Sequence, residues 1–405
     1  MDKKEVYNEF LVPFSLPSRD LVEVNYVLEA MNSRHRHGAG PFTVRSVAAL
    51  RNITGVSKIL LTHSCTGALE LAMLLMNIQK DDEVILPSFT FSSTANAVAL
   101  QGAVPVFADI DPLTQCLDPN SVRELITPRT RAILPVHYAG VGCDMEALGD
   151  LAKQNSLAII EDAAQAIGAT RNGKALGAFG ELGAFSFHDS KNISCGEGGA
   201  LLINDEDFIE RAEILWEKGT NRSKFIRGEV DKYTWVDIGS SFLASEIAAA
   251  FLLGQLERVE QINNARLHLW NHYYESFAEA EALNVCGRPY IPANCKHNGH
   301  IFYLILNDGE TRTELLGYLK ANGISAAFHY VPLHDSPAGK RFGRTPFPLP
   351  HTEKAGHCLI RLPLFPDMTP MQQERVISLT NSFLLSIAQK KYMSSTITIH
   401  DKKVG

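Results

Sequence analysis

The chain has 405 residues, 45% of them hydrophobic and 20% charged, which is long enough for two domains and too apolar for a disordered polymer. Its formal charge of -7 at pH 7 disfavours a nucleic-acid partner, since a phosphate backbone is repelled by a net-negative surface. The start, Met1-Asp2-Lys3-Lys4-Glu5, lacks a secretory leader's apolar stretch and the run 247–253 is too short to cross a membrane, so a cytoplasmic protein is expected.

From about residue 58, short apolar runs alternate with helical patterns. The runs 59–62, 84–86, 104–108, 132–136 and 157–160 read as strands, and 69–76 and 95–100 as helices. This alternation predicts an α/β fold with a mostly parallel sheet covered on both faces. Such sheets bind ligands at the carboxyl ends of their strands. Polar clusters follow several runs directly: Ser64-Cys65-Thr66-Gly67, Pro87-Ser88-Phe89-Thr90-Phe91, His137-Tyr138-Ala139-Gly140 and Glu161-Asp162. They are expected to face one crevice.

A further strand, 183–187, delivers Lys191 to the glycine-rich turn 196–199, which leads into a strand at 200–203. A helix is expected at 205–218, a long polar loop at 219–235 and a helical stretch at 245–269. The large, cofactor-binding domain is expected to span 12–255. A smaller α+β domain should cover 256–389, with a strand at 301–306 and a helix at 312–322. The polar segment 390–405 reads as a mobile tail.

A lysine is ordinarily a solvated surface residue, and Lys191 is set apart by the strand that carries it to a turn. A Schiff-base lysine needs a fixed, partly desolvated position, because its amine must lose its proton before it attacks an aldehyde. Asp162 closes an apolar run, where burying a carboxylate is costly unless a cation or donors meet it. Two readings stay open for it: the N-cap of a helix beginning at Ala163, or the partner of a protonated pyridine nitrogen. In the second reading Gln165 reaches the ring's phenolic oxygen.

The Ser64–Gly67 cluster is either an ordinary cap or a phosphate cradle of backbone N–H groups and hydroxyls. Phe91 is either core or a flat face for a pyridine ring. A cradle, a buried acid and a delivered lysine together point to pyridoxal 5′-phosphate. The histidines of Arg34-His35-Arg36-His37 and His297-Asn298-Gly299-His300 have no carboxylate or thiol in register and read as surface and loop residues, so no metal is expected. Seven scattered cysteines without a C-x-x-C pair argue against a disulfide framework.

Four stretches, Glu161-Asp162-Ala163-Ala164-Gln165, Ser186 to Asn192, Gly196-Glu197-Gly198-Gly199 and His329-Tyr330-Val331-Pro332-Leu333-His334, carry a resemblance. In this order they resemble the DegT-type nucleotide-sugar aminotransferases, over about residues 12–385. The resemblance implies the aspartate aminotransferase fold, pyridoxal-phosphate transferase fold type I, with a large domain and a smaller C-terminal α+β domain. It implies that Lys191 carries the cofactor and moves protons, that Asp162 meets the pyridine nitrogen and that Gln165 meets the phenolic oxygen. Cys65, Thr66 and Ser186 would hold the phosphate, and Phe91 would stack on the ring.

Ser241 stands where many family members have an asparagine that reaches the phosphate from the neighbouring subunit. A homodimer with shared active sites is therefore implied. Gly219-Thr220-Asn221-Arg222 and the segment 232–241 are most similar to the branch that converts TDP-4-keto-6-deoxy-D-glucose to TDP-4-amino-4,6-dideoxy-D-galactose with L-glutamate as donor, in lipopolysaccharide or surface polysaccharide biosynthesis. His188, Arg222, Arg227, His329 and His334 are the expected substrate contacts. Arg222 and Arg227 are either solvated or bound to the sugar nucleotide's diphosphate, and His329 and His334 either line the sugar pocket or sit as interior histidines. A dehydratase on this scaffold would carry histidine in place of Lys191. A cysteine desulfurase would need a reactive thiol, with Cys195 and Cys358 as candidates, and a non-catalytic regulator would need an attached DNA-binding segment.

Overall fold

The computed structural model describes residues 11–401. Its central sheet contains β1 (Lys58–Thr62), β2 (Glu83–Pro87), β3 (Val104–Ala108), β4 (Thr130–Ile133), β5 (Ala158–Asp162), β8 (Leu182–Ser186) and β9 (Gly199–Ile203), in the order β1-β9-β8-β5-β4-β2-β3. The pairs β2–β3, β2–β4, β4–β5 and β5–β8 are parallel, and β9 alone runs against both of its neighbours. The sheet is mostly parallel, as the alternating pattern predicts. The reversed strand is the return of the chain after the Lys191 turn.

Side chains alternate between the two faces of a strand, and both faces here are covered. Leu60, Leu182, Ala184, Leu201 and Ile203 pack under helix α3 (Cys65–Leu75), through its Leu71, Ala72 and Leu75. Their sequence neighbours Ile59, Leu61, Phe185, Ala200 and Leu202 point the other way. There they meet Phe42 and Leu50 of α2 (Pro41–Thr54) and the helix Glu246–Leu256. The result is a three-layer α/β sandwich in which β2, β8 and β9 are buried along their whole length. Before α2 lies α1 (Leu21–Asn32).

Two smaller sheets complete the fold. β6 (Thr170–Arg171), β7 (Lys174–Ala175) and β11 (Cys295–Lys296) form one, and β10 (Cys286–Gly287), β12 (Phe302–Leu306) and β13 (Leu359–Leu362) form the other. The core of the C-terminal unit gathers Phe302 and Leu304 of β12, Leu315 and Leu319 of the helix Gly309–Ala321, and Val376 and Leu384 of the last helix. The helix Val259–Ser276 serves both units, with Ile262 in the large core and Leu269 and Tyr273 in the small one.

Several expected boundaries differ. Val12, expected with the large domain, bridges to Ile324 and packs in the small core. The stretch after Asp162 forms turns rather than a helix, so Asp162 is not a helix cap. The loop expected at 219–235 contains a short helix, Arg222–Ile226. The last helix runs Pro370–Asp401, so the segment expected as a tail from 390 continues as helix, and residues 402–405 lie outside the described residues. Among the described residues no helix is long and apolar enough to cross a membrane.

Candidate active site

The carboxyl ends of β1, β2, β5 and β8 open on one side of the sheet. After β1, Ser64 caps α3, its hydroxyl accepting from the Gly67 N–H at 3.0 Å. Cys65 and Thr66 therefore occupy the first turn of α3, where free backbone N–H groups and the positive end of the helix dipole favour an anion. Thr66 Oγ1 lies 2.8 Å from Ser93 Oγ in the first turn of α4 (Ser92–Ala99), so two helix starts meet. β9 passes against this corner at Gly199, where a Cβ would lie 2.4 Å from the Cys65 nitrogen. Only a residue without a side chain lets the strand approach so closely.

β5 ends on Asp162, which is buried. Its Oδ2 accepts from Thr94 Oγ1 at 2.8 Å and its Oδ1 from the Ala164 N–H at 3.1 Å. Burial raises its carboxyl above the ordinary carboxylate range, and the Thr94 and Ala164 hydrogen bonds and the charge of Lys191 pull it part of the way back. The adjacent Glu161 points to the opposite side of the strand. It accepts from the N–H groups of Gly177 (2.8 Å), Phe179 (2.5 Å) and Gly180 (2.7 Å) and lies 2.8 Å from His137 Nε2. That buried carboxylate pins the loop between β5 and β8, which sets where β8 delivers its end.

β8 ends on Ser186, and Lys191 follows in a turn closed by its own N–H to the His188 carbonyl at 2.9 Å. Burial lowers the Lys191 amine below the ordinary lysine range; Arg361 adds to that shift, while Asp162 and Cys65 oppose it. A buried amine of this kind gives up its proton to become a nucleophile more readily than a solvated one.

These groups share one cavity of about 640 Å³, within the range of small-molecule sites. Cys65, Thr66, Asp162, Gln165, Ser186 and Lys191 line it. Phe91, His188 and His329 line it as well, with Phe91 and His188 at the exposed rim. Gln165 is fixed at both ends of its amide: Oε1 accepts from the Ala139 N–H at 2.7 Å and Nε2 donates to the Tyr330 hydroxyl at 2.9 Å. His329 Nδ1 lies 2.7 Å from the Tyr138 hydroxyl, and its ring stacks on Tyr330.

Four of the expected residues lie apart from this cavity. Ser241 is exposed and bridges to Glu217. Arg222 is ion-paired with Glu217 at 3.5 Å, and Arg227 with Glu213 at 2.8 Å and with Glu229, so both arginines already have carboxylate partners. His334 packs under Ser88, its Nδ1 2.7 Å from the Ser88 hydroxyl. Arg222, Arg227 and His334 are thus held by intramolecular bonds outside this cavity.

The cavity also gathers Thr94, Arg266, Tyr330 and Arg361, which the sequence did not single out as site residues, and His300, which was expected as a surface or loop residue and is buried. Tyr330 lies within one of the quoted motifs. Arg266 and Arg361 come from elements far along the chain and carry no local signature.

The sequence profile of the DegT/DnrJ/EryC1/StrS aminotransferase family matches residues 18–380. The chain belongs to this family. An uncharacterized protein of Methanocaldococcus jannaschii, MJ1066, is 33% identical over 393 residues, 95% of this chain and 100% of that protein. The crystal structure of S. venezuelae DesV in complex with a ketimine intermediate superposes with a TM-score of 0.83 at 32% identity, covering 92% of this chain and 98% of that one. Helicobacter pylori PseC, an aminotransferase involved in pseudoaminic acid biosynthesis, superposes with a TM-score of 0.85 at 26% identity, covering 93% and 99%. The family's cofactor is pyridoxal 5′-phosphate. The residues present suit that group: an anion-binding helix start, a buried carboxylate in need of a cation and a buried amine converge on one cavity of fitting size.

Proposed function

We propose that this aminotransferase transfers the amino group of L-glutamate to the 4-keto carbon of a nucleotide-linked sugar, TDP-4-keto-6-deoxy-D-glucose, giving TDP-4-amino-4,6-dideoxy-D-galactose. The observation that carries the chemistry is the convergence of Lys191 and Asp162 in one cavity beside the α3 start. When bound, pyridoxal 5′-phosphate supplies an aldehyde and an electron-withdrawing ring. Asp162 holds the ring nitrogen's proton by charge, and Gln165, with one amide hydrogen already on Tyr330, has a second for the phenolic oxygen. The first turn of α3, with Cys65 and Thr66, and Ser186 of β8 take the phosphate. Phe91, at the rim, offers its face to the ring.

Lys191 acts twice. As a neutral amine it anchors the cofactor, and once displaced by the donor it takes the proton from the donor's α-carbon and later delivers one to the sugar carbon. His188 and His329 stand where an incoming sugar would pass. The choice of sugar rests on the likeness of the segments 219–222 and 232–241 to one branch of the family, and other ketone positions or product stereochemistry are the alternatives. Cysteine desulfuration is disfavoured because burial pushes the Cys195 thiol up to about 12, far from a thiolate at neutral pH.

The same reading includes a homodimer in which Ser241 serves the neighbour's cofactor phosphate. It is supported by the exposed position of Ser241 outside its own cavity and by apolar side chains around it.

Purified protein loaded with pyridoxal 5′-phosphate should lose the cofactor's imine absorbance on addition of L-glutamate, and TDP-4-keto-6-deoxy-D-glucose should restore it. Product stereochemistry read by NMR then decides the sugar. Lys191→Ala should abolish turnover while retaining noncovalent cofactor. Wild-type protein that aminates none of a panel of TDP- and UDP-linked keto-sugars would overturn the sugar assignment.

A further inference from the structure

Lys191 is followed by Asn192, whose side chain is buried and bonded at both polar atoms. Its Nδ2 donates to Asn263 Oδ1 and to the Asn298 carbonyl, both at 2.9 Å, and its Oδ1 lies 2.9 Å from His300 Nδ1. Asn263 stands on the helix Val259–Ser276, and its own Nδ2 donates to the Ile167 carbonyl at 3.1 Å. The backbone carbonyls of Asn298 and Ile167 can only accept, so they fix which end of each amide is the nitrogen. Asn192 Oδ1 is then an acceptor, and the hydrogen between it and His300 must sit on Nδ1.

The backbone around the ring is fastened to that same helix. Arg266 donates to the carbonyls of Gly299 (3.0 Å) and His300 (2.5 Å), and Trp270 Nε1 donates to that of Ile301 at 3.1 Å. Burial pushes the imidazole well below the ordinary histidine range, and the charges of Lys191, Arg266 and Arg361 push it further. A neutral ring with its hydrogen on Nδ1 presents a bare lone pair at Nε2. His300 lines the cavity with Lys191 while only 6% exposed, and its Nε2 meets no donor among the described residues. The Lys191 amine likewise has no hydrogen-bond acceptor among them. The other acceptors of the cavity are engaged or undecided. Asp162 accepts from Thr94 and Ala164, the Tyr330 hydroxyl accepts from Gln165, and His329 Nδ1 faces the Tyr138 hydroxyl, which can donate or accept.

We propose that His300 Nε2 is the acceptor that holds the Lys191 amine whenever that amine is free, with Asn192 as the positioning residue that sets the tautomer. The proposal rests on Lys191 being the cofactor's lysine; the tautomer stands without it. The flexible four-carbon stem lets the amine reach the ring. An amine that gives one N–H to a fixed acceptor keeps its lone pair within a narrow range of directions instead of sampling all of them, which favours attack on a carbonyl carbon. A neutral acceptor suits this task better than an ion. An imidazolium would repel the lysine's protonated form, and a carboxylate would hold the proton that the lysine must lose.

Two substitutions separate the two ends of the ring. His300→Asn keeps an amide hydrogen near Nδ1 for Asn192 and has nothing at Nε2, whereas His300→Gln reaches the Nε2 position with a carbonyl oxygen. NMR of nitrogen-labelled histidine in the cofactor-loaded wild type at pH 7 should show His300, identified by its loss in either variant, protonated at Nδ1 and bare at Nε2. The full chain is then stripped of cofactor and reloaded with pyridoxal 5′-phosphate, and covalent capture of the aldehyde by Lys191 is followed by absorbance. His300→Asn should slow capture roughly 10- to 100-fold, the scale of one lost hydrogen bond to a charged group, with noncovalent cofactor affinity within about twofold of wild type. His300→Gln should recover to within about threefold. A hydrogen on Nε2, wild-type capture by His300→Asn, or equal losses of capture and noncovalent affinity would each overturn the assignment. If circular dichroism shows His300→Asn unfolded, capture slowed more than about tenfold in folded His300→Gln overturns it instead. Capture needs no amino donor, so failure of L-glutamate to convert the loaded wild type counts against the donor alone. Wild type that never captures the cofactor refutes Lys191 as its anchor, and the proposal with it.

Discussion

Burial shifts Lys191 and Asp162 in opposite directions, each toward its neutral form, and each charge partly restores the other. The same desolvation acts on a neighbouring group of histidines. His297 is brought down to about 4 by burial, and its ring packs edge-on against Trp270. His300 and His329 are pushed well below the ordinary histidine range by burial, with cationic neighbours adding to it. Because these rings titrate lower in the folded chain than the unfolded value of about 6.5, the unfolded chain binds more protons between the two values. Their contribution is complete above about pH 6.5 and declines as pH falls, by up to about 1.4 kcal/mol per pH unit per histidine. Glu83 and Glu213, whose values are lowered, lose their contribution only below the ordinary carboxylate range, while Asp162 and Glu70, whose values burial raises, work against the histidine trend as pH falls. Urea unfolding of the cofactor-free protein should therefore show lower stability at pH 5 than at pH 7, and His297→Gln should flatten that slope. Equal midpoints at both pH values would refute this account.

At the level of elements, the site depends on how closely β9 approaches the start of α3. At Gly199 a methyl group would lie 2.4 Å from the Cys65 nitrogen and 2.5 Å from the Ser64 carbonyl oxygen. Gly199→Ala must push α3 away from the strand, and its free N–H groups are the ones assigned to the cofactor phosphate. Cofactor affinity measured by fluorescence should fall about tenfold or more, as expected for one lost charge-assisted contact. At Gly173, by contrast, a Cβ meets nothing within 4 Å, and with φ at 77° Gly173→Ala should cost about 1 kcal/mol in stability and leave cofactor affinity unchanged. Equal effects of the two substitutions would argue that the α3 start does not hold the phosphate. The strand-to-turn delivery of Lys191 and the polar ends of β1, β2 and β5 were legible in the sequence because they depend on local order: an apolar run followed at once by polar residues. Arg266 and Arg361 were not, because an arginine in a helix or strand has no local mark of its destination, and His300 reads locally as a loop residue. Only the packing of the small unit against the sheet brings them to Lys191. Asp162 shows the intermediate case, its burial legible but its cap reading excluded by the turns that follow it.

At the level of the whole molecule, the apolar side chains left outside are not scattered. On α1, Leu21, Val24, Leu28 and Met31 repeat at helical spacing and are each at least half exposed, and the segment leading to Ser241 exposes Tyr233, Trp235, Val236 and Ile238. Exposed apolar patches of this kind mark interaction surfaces, and the commonest assembly that covers one patch with its own copy is a two-fold dimer. Trp235, 77% exposed, gives the direct check: sedimentation should find twice the 44.6 kDa chain mass, and Trp235→Glu should shift it toward one chain. Shared sites make a sharper demand. If Lys191 of one chain works with Ser241 of the other, Lys191→Ala and Ser241→Asp homodimers are both inactive, the second because a carboxylate repels the phosphate. In a mixed dimer, the Ser241→Asp chain supplies Lys191 and the Lys191→Ala chain supplies Ser241, so one of its two sites is intact. Random pairing of equal amounts makes half the dimers mixed, and activity should return to about a quarter of wild type after dissociation and reassociation. No recovery would mean that Ser241 serves its own chain, and an active Ser241→Asp homodimer would remove it from the phosphate altogether.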